Sequence, residues 1–525
     1  MQTVISSARL PWIVFSLTVE ALWAGGTQEP LCIGNRRQLL FDGKFVRQAK
    51  NIEFQVHPPR KTGEIIVASE PSSARGGYHS VLYEAGRYHM WYTAGGCIHY
   101  ARSDDGIHWA KPNLGLRGKD STFEGSEAGN VVLGRGVGEV SGEMHGLMVF
   151  LDPTAPDDEK FRLVCNPPEF NWRVQVFSSS DGIHWTLTHR DAISYRDAKH
   201  HLDSQNVIFW DCRIGKYVAY SRRNLREKGS QMRSVARAES PDLAHFPLVE
   251  DSPIVMCADV QHPGHLDPLS RARISVLDTY TNGTIKYPWA DDAYLMFPTE
   301  YYHYGPYLGE FRKECPVNAG VLDTRFAASR DGIHWERYDY GAFVGLGMKG
   351  EFDSGRVYMA YGIAPAPNGR EMYMYYLGTS ETHGWDRDDN NNRLLTAAGL
   401  APTGPSAISR VVLRRDGFVS ARAPYTGGEV VTPLLQFEGQ QLLLNVDTSA
   451  SGELRVEILD EQGKPVAGYS LEDCDIVHTA NEVNRVVKWK GESSVSRLAG
   501  TPVRLHFVMR DVDLYAFQFA DRGGI

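Results

Sequence analysis

Between about Glu64 and Pro424 the chain is written in short runs in which apolar or aromatic residues alternate with polar ones. A period of two predicts half-buried strands. In "YHSVLYEAGRYHMWYTAGGCIHYARSDDGIHW" the alternation breaks at Ala85-Gly86 and again at Ala94-Gly95-Gly96, so the stretch predicts three short strands, a turn, and a fourth strand from His108-Trp109. The same grammar returns in "MHGLMVFLDPTAPDDEKFRLVCNPPEFNWRVQVFSSSDGIHW". It returns again in "DSQNVIFWDCRIGKYVAYS" followed by "RSVARAESPDLAHF", in "TYTNGTIKYPWADDAYLMFPTEYYHY" followed by "VLDTRFAASRDGIHW", and in "SGRVYMAYGIAPAPNGREMYMYYLGT" followed by "ISRVVLRRDGFVS". Each is a four-stranded antiparallel meander.

One heptapeptide punctuates these units: "SDDGIHW" at Ser103, "SSDGIHW" at Ser179 and "SRDGIHW" at Ser329. Asp-Gly is a strong turn signal, because Gly accepts a positive φ and Asp bonds locally to the backbone. In the third unit the turn has drifted to Ser240-Pro241-Asp242-Leu243. Self-similar four-stranded sheets of this kind predict a β-propeller, here with five blades. A sialidase-type ring is disfavoured, because its turn motif places a further residue between Asp and Gly, and the shorter WD40 period is missing.

After Pro424 the heptapeptide disappears, while alternation continues through "QLLLNVDTSASGELRVEILDEQGKPVAGYS" and "RVVKWKGESSVSRLAGTPVRLHFVMRDVDLYAFQF". That texture predicts a β-sandwich. The expected organisation is a signal peptide over 1–25, an all-β five-bladed propeller over 26–425 that includes the N-terminal segment, and a β-sandwich over 426–525.

Composition changes this picture little. A formal net charge of -9 disfavours nucleic acid and anionic membranes as partners. Past the N-terminus no apolar run reaches the ~18 residues a membrane span needs, so the mature chain is expected to be soluble, and the expected signal peptide makes it secreted or periplasmic. The seven cysteines lie scattered with no finger spacing, and neither metal nor cofactor is predicted.

In a blade whose innermost strand comes first, strand direction sorts every loop onto one of two faces. The Asp-Gly turns fall on one face and are read as structural, as is Asp152 at the end of a first strand. The other face collects residues that begin first strands: His79, Glu143, Asp203, Asp278, Glu351 and Asp353. Loops between second and third strands add Glu300, Tyr302, His303, Glu381 and His383. Carboxylates converging on an axial funnel rimmed by aromatic rings are what cleavage of a glycosidic bond needs, one to protonate the leaving oxygen and one to activate water or attack the sugar. Asp203, Glu143 and Asp353 are therefore the expected catalytic residues. His79, Asp278, Glu300, Tyr302, His303, Glu351 and His383 are expected to bind a carbohydrate.

The five units, with "DSQNVIFWDCRIGKYVAY" and "SRDGIHW", resemble the five-bladed propellers of glycoside hydrolase families 43 and 32, and the C-terminal stretch resembles the sandwich that follows the family 32 propeller. The resemblance implies that an inner-strand acid serves as base or nucleophile, that a second orients it, and that a Glu donates the proton. Asp203 matches the first position, and Glu143 matches the donor by residue type. Departures are plain: the Asn-Asp-Pro-Asn-Gly and Arg-Asp-Pro motifs of family 32 do not occur, and His79 stands where an Asp is expected. Glu314-Cys315-Pro316 matches the donor motif in letters but falls in a fourth-unit loop and is read as coincidence. A poly- or oligosaccharide other than sucrose or fructan is the expected substrate. Two rival readings are a carbohydrate-binding propeller without catalysis, and a phosphorylase whose basic cluster would draw on Arg75, Arg271, Arg273 and Arg356.

Overall fold

The structure, a computed structural model, describes residues 29–69, 77–116, 129–138, 140, 142–197, 201–227, 230–258, 264–268, 271–274, 277–304, 319–338, 341–385, 389–397, 399–404 and 406–523. The expected signal peptide, Arg75 and Glu314-Cys315-Pro316 lie outside them. The chain is nearly all β. Among the described residues no helix is long and apolar enough to cross a membrane. Two compact units form, Pro58–Arg415 and a second that joins Met1–His57 to Asp416–Ile525.

In the first unit the strands pair in successive antiparallel fours. The first blade runs His79–Glu84, Arg87–Ala94, Cys97–Ser103 and Val131–Leu133. The second runs Met148–Leu151, Phe161–Cys165, Val174–Ser179 and Thr186–Ile193. The third runs Val207–Asp211, Lys216–Glu227, Ser230–Ser240 and Ile254–Cys257. The fourth has split strands, opening at Leu277–Thr281 and closing at Glu336–Arg337. The fifth runs Arg356–Met359, Glu371–Thr379 and Ser406–Arg414, and its outer edge is supplied by Arg60–Lys61 and Val67–Ser69 from the start of the chain.

Hydrogen bonds join each blade to the next and close the ring. Val149 N–H donates to Ser80 Oγ at 3.0 Å, and Gln205 Nε2 to the Leu147 carbonyl at 2.8 Å. Arg233 N–H donates to Asp278 Oδ1 at 2.9 Å, and Leu322 N–H to the Gly355 carbonyl at 3.3 Å. Tyr361 N–H reaches the His79 carbonyl at 3.1 Å, which returns the circle to the first blade.

The repeated heptapeptide acts at these seams. Asp105 Oδ1 accepts the backbone N–H groups of Ile107 and His108, both at 2.8 Å, and Oδ2 meets His108 Nδ1 at 2.7 Å. Asp181 and Asp331 repeat the arrangement. Burial opposes ionisation of Asp181, yet bonds from His184, Ile183 and Ser179 hold its carboxyl at about 2. Gly106, Gly182 and Gly332 take φ of 73, 74 and 74°, which a side chain strains to adopt. Their carbonyls then accept from the second strand of the preceding blade: Tyr375 OH to Gly106 at 2.8 Å, Trp91 Nε1 to Gly182 at 2.7 Å, and Tyr220 OH to Gly332 at 2.7 Å. The third-blade turn keeps the Asp242 to His245 bonds but carries buried Leu243 in the glycine place.

The second unit is built of two sheets. One orders Asn481–Val486, Gln441–Asp447, Val512–Ala520, Val419–Ala423 and Glu53–Val56. The other orders Gln48–Lys50, Gly428–Val431, Arg504–Arg510, Glu453–Leu459 and Val477–His478. Alternate residues of both face one core, where the Phe507 and Phe517 rings lie 6.2 Å apart and Phe45 packs 5.2 Å from Phe517.

Three expectations are corrected here. The division falls at residues 57/58 and 415/416 instead of 425/426, and the N-terminal segment to His57 belongs with the C-terminal strands. Residues 60–69 already cover the last blade's edge, so Val419–Ala423 pairs instead with Glu53–Val56 and Val512–Ala520. After the first Asp-Gly turn the described residues form an isolated bridge, Arg102 to Ala110, and the blade's fourth strand is Val131–Leu133 instead of one from His108.

Candidate active site

At the strand-start face of the ring, side chains from successive blades meet in one cluster. The first blade gives Tyr78, whose ring lies 5.3 Å from His145 of the second and 6.2 Å from Tyr358 of the fifth. Tyr280 of the fourth blade lies 5.9 Å from Tyr358, 5.8 Å from Tyr301 and 5.3 Å from His383. Its hydroxyl is 3.1 Å from His383 Nε2. The third blade contributes Asp203, Arg222 and Arg233, with the Arg233 guanidinium 4.4 Å from the centre of the Tyr280 ring. Period two explains who arrives: Asp278 and Tyr280 share one face of their strand, and Tyr301 and His303 share the matching face of its partner, with Asp278 opposite Tyr301.

Charge in this cluster is arranged in pairs. Asp203, with its side chain 35% exposed, ion-pairs with Arg222. Asp278 is buried and meets His303 Nε2 at 2.9 Å. Burial pushes its carboxyl up, but His303 and Arg233 outweigh that and hold it below its ordinary value. Arg356 pairs with Glu381 at 3.1 Å. Burial, followed by repulsion from Arg233, pulls Arg222 down to about 10. Burial also pulls His145 down to about 4, so its ring is neutral near pH 7, and it lifts the Tyr78 and Tyr301 hydroxyls, which stay protonated. The cluster gathers aromatic rings, neutral hydroxyls and fixed ions, and Tyr78, Asp278, Tyr301 and Tyr358 within it are buried.

Of the residues expected from sequence, Asp203, Asp278, His303 and His383 are brought together. The others go elsewhere. Glu143 stands on an exposed loop beside Gly96, its side chain 58% exposed and paired with Arg135 at 2.5 Å. His79 is buried at the head of its strand, where desolvation lowers it to about 4 and its carbonyl serves the ring closure. Asp353 is not a funnel carboxylate: it is buried against Lys61 Nζ at 2.6 Å and Tyr376 OH at 2.9 Å, linking the start of the fifth blade to its outermost strand. Glu351 is exposed and accepts the Met348 N–H at 2.8 Å within its own loop. Glu300 and Tyr302 were expected in a loop with His303, but all three lie in the strand Thr299–Tyr304, whose alternation turns Glu300 and Tyr302 to the opposite face. There Glu300 meets Arg337 at 3.1 Å and Tyr302 meets Arg325. Arg271 and Arg273 are exposed and Arg356 is taken by Glu381, so these described members of the expected basic cluster do not gather.

Sequence reasoning missed Arg222, Arg233, Tyr280 and Tyr358. Their signal was the strand register: Arg222 and Asn224 share a face of Lys216–Glu227, and Arg233 stands opposite Asn224 on the returning strand.

No family model matches the chain, and no curated protein matches it in sequence. Solved structures do. A thermostable family-43 glycoside hydrolase is 14% identical with a TM-score of 0.39, over 66% of this chain and 94% of that one. A glycosyl hydrolase from Bacteroides ovatus is 13% identical with a TM-score of 0.38, over 72% and 96%. An N-acetylgalactosamine deacetylase from F. plautii, in complex with blood group B trisaccharide, is 13% identical with a TM-score of 0.40, over 70% and 96%. At such identities and scores the similarity assigns this chain no activity, substrate or residue.

Proposed function

We propose that the chain is a secreted glycoside hydrolase acting on a poly- or oligosaccharide in the axial funnel of the propeller. The observation that carries this reading is the meeting of Asp203 and Asp278 with the rings of Tyr78, Tyr280, Tyr301 and Tyr358. Aromatic faces pack on sugar C–H surfaces, and two acids are the minimum for general acid and base work on an acetal. Asp203 is the partly open carboxylate of the two and takes the role of base or nucleophile. Asp278, ionised and held by His303, orients the sugar and stabilises positive charge developing at the anomeric carbon. Glu143, the donor that the sequence offered by residue type, stands on an exposed loop paired with Arg135, outside the cluster, and is given no role in this reading.

One observation favours a second reading. The ion pair of Asp203 with Arg222 occupies the carboxylate that the mechanism needs free, as suits a propeller that binds sugar without cleaving it. Incubating the protein with a panel of plant and algal polysaccharides while following reducing ends separates the two. New reducing ends that vanish in Asp203→Asn support the hydrolase, whereas tight binding without product supports the binder.

A further inference from the structure

The two arginines of the third blade use their donors unequally. Arg222 is engaged, with Asp203 as its ion partner and Asn224 Oδ1 3.1 Å from its Nε. Arg233 is not. Its Nε stays 3.9 Å from Asp278 Oδ2, outside hydrogen-bond range, and among the described residues no acceptor reaches its Nη1, although the side chain is only 15% exposed. Asp278 does not need that guanidinium for hydrogen bonding, because it already takes His303 Nε2 and the Arg233 backbone N–H, each at 2.9 Å. The face of the guanidinium is fixed by Tyr280 at 4.4 Å and Tyr301 at 5.9 Å. Stacking of this kind uses the plane of the group and leaves its in-plane fork unspent.

A guanidinium removed from water with idle donors is costly, and the cost is recovered only when an acceptor arrives. The fork of an arginine matches a planar or trigonal oxyanion in a bidentate pair. Crowding has the same sign: burial and then Arg233 lower Arg222, so the two cations stand close enough to repel each other. We propose that Arg233 is the specificity residue of this site and binds an oxyanion carried by the sugar itself, a uronate carboxylate or a sulfate ester. The substrate is then an acidic poly- or oligosaccharide. The inference rests on reading the funnel as a sugar site.

The test is calorimetric binding to the full chain. The ligands are an oligogalacturonide and its carboxyl-reduced counterpart, a sulfated galactan oligosaccharide and its desulfated counterpart, and inorganic phosphate alone. In one of the two pairs the acidic member is expected to bind roughly 10- to 100-fold tighter, the range of a hydrogen bond to a charged group. Which pair shows it identifies the carboxylate or the sulfate. Arg233→Gln is expected to bring that ratio to within about twofold, and Arg233→Lys to keep part of it. Equal binding within both pairs, or a preference that survives Arg233→Gln, overturns the proposal. Phosphate that binds as tightly as the acidic sugar and displaces it overturns it too, and reassigns the arginine to a free anion. Should Arg233→Gln misfold, Arg233→Lys carries the assignment: a ratio lowered by about threefold or more supports the arginine fork, and an unchanged ratio overturns the proposal. Acidic sugar that binds without being cleaved sinks the hydrolase reading alone. Cleavage of neutral glycans with no acidic preference sinks this inference alone.

Discussion

Trp91 donates its indole N–H to the carbonyl of Gly182 at 2.7 Å, fastening the second strand of one blade to the turn of the next. The heptapeptide is therefore more than a turn. Its Asp and Ser shape the backbone so that a glycine carbonyl faces outward to a neighbour, and three copies do this with three different aromatic donors.

Gly182→Ala should be costly. An added Cβ would stand 2.6 Å from the Trp91 ring, on a backbone with φ of 74°. A loss of about 2 to 3 kcal/mol follows from strain and the displaced hydrogen bond. Gly86→Ala is the control, with φ of 82° but nothing within 4 Å of its Cβ, and should cost about 1 kcal/mol. Urea melts of the two variants, compared at equal slope, check the difference.

Asp203→Asn should lower kcat/KM by about two to four orders of magnitude, the usual contribution of a general base. Steady-state kinetics on whichever glycan the panel selects gives the number. Activity within about threefold of wild type contradicts the assigned role.

Asp353→Asn should act on stability and leave turnover per folded molecule unchanged. The carboxylate is buried between Lys61 and Tyr376, and removing one side of such a pair costs about 3 kcal/mol. Thermal unfolding together with active-site-normalised rates distinguishes this from a catalytic loss.

Glu300 gives a pH signature. Burial lifts it from 4.5 to about 7 against the opposing pull of Arg337 and Arg325, with Asp323 and Asp278 adding to the rise. Between those values the folded chain holds a proton that the unfolded chain releases, so stability falls as pH rises through that window. The full loss is on the order of 3 kcal/mol. Glu300→Gln should remove this slope, and urea midpoints of wild type and variant at pH 4.5 and 8 measure it.

Much of the ring was legible because turns and alternation are local. Asp-Gly pairs located the seams, and first-strand starts located the face on which Asp203 and Asp278 meet. Locality also set the limit. Glu300 and His303 look like one acidic and aromatic motif in "PTEYYHY", and only knowing that the motif is strand assigns them to opposite faces. Asp353 has the right place in its blade, but its partner Lys61 is 292 residues away in sequence. Arg222 and Arg233 sit in a strand pair that reads as an ordinary charged hairpin until the neighbouring blade supplies Asp278 and Tyr280.

The second unit is interrupted by the whole propeller, and this bears on synthesis. Residues 48–56 leave the ribosome first, yet the strands that receive them, Val419–Ala423 and Gly428–Val431, follow more than 350 residues later. Until then the early segment has neither its own sheet nor its core, and Phe45 waits for Phe517. The ring's own outer strands, Arg60–Lys61 and Val67–Ser69, wait almost as long, for Ser406–Arg414. A nascent chain truncated near residue 415 would thus hold a finished propeller and an unpaired leader, and residues 416–525 of the full chain, expressed alone, would lack Gln38–Leu39, Gln48–Lys50 and Glu53–Val56, the strands that complete their sheets.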